Sequence, residues 1–73
     1  MEHARISQDP KVMVGKPVIR GTRISVELIL RLLGNGHTVE ELAASYRIEP
    51  DDIRACQSFA ADYLAEHSKV AAE

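Results

Sequence analysis

The 73-residue chain predicts a small, mostly α domain in which a short N-terminal β-hairpin region precedes three helices with a helix-turn-helix core. Three observations lead there. Residues 1–24 hold turn signals and short apolar groups but no helical period. From Ser25 onward apolar residues recur at helical spacing. That spacing breaks twice, at Asn35-Gly36 and at Arg47-Ile48-Glu49, and the second break has the length that joins the helices of a helix-turn-helix.

In chain order, Ile6-Ser7 reads as a short strand, followed by the turn signal Asp9-Pro10 and the apolar Val12-Met13-Val14. A tight hairpin at Gly21-Thr22 follows, because glycine at the first central position suits a type II′ turn. That register sets Ile19 against Ile24 in the core and Arg20 against Arg23. Helix one begins at Ser25 as N-cap and stops at Asn35-Gly36. Its stripe of Val26, Ile29, Leu30 and Leu33 is widened by Leu28 and Leu32 beyond what one core contact requires, so the spare flank is a candidate dimer seam. Helix two opens with the capping box Thr38-Val39-Glu40-Glu41 and carries Val39, Leu42, Ala43 and Tyr46 on one face. Helix three starts at Pro50, with Asp51 and Asp52 complementing the positive end of its dipole. Ile53, Cys56, Ala60, Tyr63 and Leu64 share its apolar face, Phe59 lies on the margin, and residues 70–73 are expected to fray.

One domain is all that this length allows, and so short a chain buries only about 60% of its unfolded surface. Small domains find further support in disulfides, metals or oligomerisation. Cys56 is the single cysteine and the three histidines lack ligand spacing, so homodimerisation through helix one or N-terminal strand pairing is the expected support, with no metal and no cofactor. No membrane span or export signal is visible, and a lone unpaired cysteine points to a cytoplasmic protein. The charge is lopsided. Residues 1–36 carry six basic and three acidic side chains, and residues 37–73 carry three basic and eight acidic ones.

Candidate chemistry follows from that asymmetry. Lys16, Arg20 and Arg23 form a basic patch suited to phosphates or to a partner's carboxylates, since the guanidinium fork takes two oxygens at once. Arg54 and Gln57 are the side chains of helix three that could reach base edges, but Glu49, Asp51 and Asp52 stand before them and repel phosphates. No ordered catalytic set appears, and Cys56 on an apolar helix face reads as a buried structural thiol. The chain therefore reads as a binding protein and not an enzyme.

The run Gly15-Lys16-Pro17-Val18-Ile19-Arg20-Gly21-Thr22-Arg23-Ile24-Ser25-Val26 resembles the hallmark of the prokaryotic domain-of-unknown-function 433 family. The resemblance continues through Gly36, Thr38-Val39-Glu40-Glu41-Leu42 and Ile53-Arg54-Ala55. It implies a homeodomain-like, helix-turn-helix fold after short strands, with Gly15, Pro17, Gly21 and Thr22 as its structural signature. It also implies an antitoxin-like role: binding and masking a PIN-like nuclease toxin. Such a nuclease has an acidic, metal-binding site, and the opposed arginines of the hairpin suggest that Arg20 or Arg23 would pair with its carboxylates. Residues 68–73 are too few to wrap a toxin, so the folded surface would make the contact. The alternative is a DNA-binding regulator that holds operator DNA through the helix-turn-helix and the basic N-terminal region.

Overall fold

The computed structural model describes residues 3–68; the expected fray at 70–73 lies outside them. The order is β1 (Ile6–Ser7), a single 3-10 turn (Met13–Gly15), β2 (Val18–Ile19), α1 (Val26–Gly34), α2 (Val39–Tyr46) and α3 (Pro50–His67). This is the expected mostly helical domain behind a short two-stranded antiparallel sheet.

Side-chain oxygens start each helix by taking backbone N–H groups that have no acceptor within the first turn. Ser25 Oγ accepts from the Leu28 amide at 3.0 Å. At α2 the Thr38 hydroxyl accepts from Glu41 N–H at 3.0 Å, and the Glu41 carboxylate accepts from Thr38 N–H at 2.9 Å. At α3 Pro50 takes the first position and the Asp52 carboxylate reaches back to Glu49 N–H at 2.9 Å. The ends are equally local. Gly36, at φ +103°, lets His37 N–H reach Leu32 O at 3.1 Å and Gly36 N–H reach Leu33 O at 3.0 Å, the pair of bonds that closes a Schellman end. Arg47 does the same for α2 at φ +57°, where Ile48 N–H donates to Ala43 O at 3.0 Å.

β1 and β2 pair antiparallel with Ile6 opposite Ile19 and Ser7 opposite Val18. On its other side β2 bridges to Ser25, and Ile19 N–H donates to Ile24 O at 2.9 Å, so Ile19 and Ile24 do face each other. The turn between them differs from expectation. Thr22 N–H donates to Ile19 O at 3.0 Å, which makes Arg20-Gly21 the central pair. Gly21 at φ +83° then occupies the third position, as in a type II turn. Thr22 Oγ1 decides the matter by donating to Ile19 O and accepting from Ile24 N–H.

The core gathers one to three residues from each strand and α-helix: Ile6, Ile19, Val26, Ile29, Leu42, Ile53, Cys56 and Phe59. Phe59 is thus a core residue and not marginal, while Tyr63 and Leu64, expected on the buried face, are 43% and 66% exposed. The reason is length. At 1.5 Å per residue, the 18 residues of α3 run about twice as far as the 9 of α1 or the 8 of α2 that it packs against. Past Phe59 the helix outruns its supports. Of the spare flank expected on α1, Leu32 packs against the core while Leu28 is 36% exposed, so one of its two residues is in use.

Candidate protein-binding surface

Between the two strands the chain makes an unusual local structure. Asp9 starts it: its carbonyl accepts from Val12 N–H at 2.8 Å and its carboxylate from Lys11 N–H at 2.9 Å. Gly15 N–H then donates to Val12 O and Lys16 N–H to Met13 O, closing two overlapping turns. Met13, Val14 and Gly15 carry φ of +51°, +57° and +84°. Such turns suit Asn and Gly, whereas a left-handed conformation disfavours an ordinary side chain by roughly 1–2 kcal/mol and a β-branched one most of all. Nothing buried repays that strain. Val14 is 92% exposed and Met13 36% exposed, so the turn holds an apolar tip in solvent.

Lys11 and Lys16 flank the tip in sequence, and Arg23 lines a pocket with Asp9 and Val12, two residues of the segment that leads into the turn. Lys16 Nζ meets Glu27 at 3.3 Å, and Arg31 meets the other oxygen of Glu27 at 3.2 Å. Those two bonds, Lys16 first, hold the Glu27 carboxyl below its usual range. No hydrogen bond or ion pair among the described residues engages the side chains of Lys11 or Arg23.

Arg20 sits elsewhere. Its Nε donates to Ala4 O at 2.7 Å and its terminal nitrogen to Ile6 O at 3.0 Å. With Arg20 N–H donating to Arg5 O, the residue staples the N-terminal segment to β2 and does not join Arg23 in a patch. Arg54 is also engaged, meeting Asp51 at 3.0 Å, while Gln57 is exposed one turn further along α3.

Arg5 was not among the expected site residues, yet it organises the opposite end of the molecule. One guanidinium nitrogen meets Glu49 at 3.1 Å and Asp52 at 2.9 Å, and the other lies 3.9 Å from Asp51. The bonds to Asp52 and then Glu49 hold its proton more firmly than usual. No local pattern announces a contact across more than forty residues, since Arg47 and Arg54 stand closer in sequence to the same acids. His3 adds to it, with Nε2 2.9 Å from Asp62 and its ring edge-on to Phe59.

An open groove of about 740 Å³ runs between α1 and the far half of α3. Leu30, Phe59, Ala60, Tyr63 and Leu64 give it apolar walls, and Lys16 and Arg31 stand on its rim. Cys56 is fully buried beside it, and burial followed by the charge of Asp52 pushes its thiol up to about 11. Such a thiol is a poor nucleophile. Among the described residues no group of three or more histidine, cysteine or carboxylate side chains is placed to hold a metal ion, and no helix is long and apolar enough to cross a membrane.

Comparison with known proteins places this geometry in a family. The model for DUF433, a protein family of unknown function, matches residues 6–60. The chain belongs to DUF433. A relative described as an uncharacterized protein, from Archaeoglobus fulgidus, is 61% identical over 28 residues, covering 38% of this chain and 78% of its own. No solved structure matches. In this DUF433 chain the signature residues have visible structural work: Gly15 and Gly21 supply left-handed turns, Pro17 accepts from Val26 N–H at 2.9 Å, and Thr22 locks the hairpin. The family match ends at residue 60, before the exposed Tyr63 and Leu64.

Proposed function

We infer that this chain is a non-enzymatic, antitoxin-like protein that binds and masks a small PIN-like nuclease with its folded surface. Val14 carries the reading. A strained, β-branched residue held almost entirely in solvent contributes nothing to the fold, and strain of this kind gathers at ligand-binding positions. An apolar tip flanked in sequence by Lys11 and Lys16, with Arg23 on a pocket beside Asp9 and Val12, complements a pocket with acidic walls, and a nuclease of that class has an acidic, metal-binding active site. The tip is too small for a membrane: one valine and part of a methionine fall well short of the apolar burial that even a single acyl chain supplies, and that gives only marginal attachment. The resemblance supplies the class of partner, and the tip supplies the means of holding it.

The second reading, a DNA-binding regulator, has the helix-turn-helix and the exposed Arg23 in its favour. It would present Glu49 and Asp51 to phosphates, and Arg54 would have to leave Asp51 to reach a base. The deciding experiment is co-purification from the native host with mass spectrometry, comparing the wild type with Val14→Asn. The expected result is a stoichiometric small nuclease-like protein that the variant retains poorly. Recovery of specific DNA with steep salt dependence and no protein would favour the regulator instead. Asparagine tolerates the left-handed region, so the variant should also melt higher, the two readouts moving in opposite directions.

A further inference from the structure

We propose that the groove between α1 and the far half of α3 is closed by a second copy of this chain, with the two α3 helices crossing antiparallel near Leu64. Both walls have complementary halves on the same molecule, which is what a two-fold interface requires. The apolar contribution comes from Leu30, Tyr63 and Leu64, with Ala60 small enough for close helix approach. The charges match as well. Lys16 and Arg31 share the single carboxylate of Glu27, which leaves the rim one positive charge in excess. Glu66, one turn from Asp62 on α3, is exposed and has no ion pair among the described residues. Crossing the helices brings Glu66 of one copy toward the basic rim of the other.

Other seams are less suited. β2 is already bonded on both sides, to β1 and to Ser25, and β1 offers a free edge only two residues long. On α1, Leu32 and Leu33 are packed against the core, which leaves Leu28, 36% exposed, as that helix's one exposed leucine. A small stable dimer buries about 600 Å² per copy, roughly an eighth of the 5127 Å² this chain exposes, so the contact must extend from the groove over the exposed Tyr63 and Leu64. Val14 and Arg23 do not line the groove, although Gly15 and Lys16 do, and self-association needs no other partner, so this seam is tested separately from the partner reading.

Sedimentation equilibrium of the full chain from micromolar to several hundred micromolar tests it. The expected result is a concentration-dependent dimer that Leu64→Arg weakens about tenfold or more, with an unchanged far-ultraviolet circular dichroism spectrum because Leu64 touches little of the core. Glu66→Lys should weaken association, and Glu66→Lys combined with Arg31→Glu should recover it. A wild type that stays monomeric throughout would overturn the proposal and leave the groove to a different protein. A dimer indifferent to both Leu64→Arg and the charge exchange would overturn it equally, since the seam would lie elsewhere.

Discussion

Arg20 shows how much one side chain's position alters its meaning. As a free cation beside Arg23 it would serve a partner, and its loss would leave the fold untouched. Its guanidinium instead donates to the carbonyls of Ala4 and Ile6, so Arg20→Ala should lower stability by on the order of 1–2 kcal/mol, read as a drop in the urea midpoint. Arg23→Ala should leave the midpoint within about 0.5 kcal/mol, because nothing in the fold engages its side chain. An equal loss from both would contradict this division. Cys56 makes a second test at the same scale. Its thiol is raised to about 11 in the folded chain from an ordinary value of 9.0, so the folded state holds the proton more tightly than the unfolded state. Stability is therefore complete below about pH 9 and declines as pH rises toward 11, and Cys56→Ser should remove that decline from a pH series of chemical melts. A thiol reagent at neutral pH should label the unfolded chain and spare the native one.

At the scale of elements, what could be read in advance was whatever is decided within a few residues. The capping box at Thr38 and Glu41, the proline that opens α3 and the glycine that closes α1 involve partners three to five positions apart, and each stands where its neighbours place it. The burial of α3 could not be read that way. A helical period tells which residues share a face, but not where the supporting helices stop, and Tyr63 and Leu64 fall beyond that point. The basic patch failed for a similar reason: Arg20 turns away to carbonyls fourteen and sixteen residues earlier, and no spacing rule covers that distance. Met13-Val14 was legible only as an apolar pair; its left-handed backbone contradicts the preference of both residues. The end of α2 is a more modest departure. Arg47 holds φ +57° without glycine's freedom, so Arg47→Gly should stabilise the domain by up to about 1 kcal/mol, a gain visible as a thermal midpoint several degrees higher.

Across the whole molecule the charge asymmetry is resolved inside the fold as well as outside it. Arg5 and His3 bring the basic beginning of the chain onto the acidic start and the outer face of α3, so part of the imbalance is spent between its own halves. What remains at the surface, among the described residues, is Lys11 and Arg23 without ion pairs and the rim of the α1–α3 groove, where Lys16 and Arg31 share Glu27. The same clamp has a temporal consequence. Arg5 waits for Glu49 and Asp52, 44 and 47 residues later, and His3 waits for Asp62, 59 residues later. A ribosome delivers those partners only after α1 and α2 have emerged, so β1 can pair with β2 and take the Arg20 bonds early, while the clamp onto α3 closes last and Ile6 lacks its α3 cover until that helix is outside the exit tunnel.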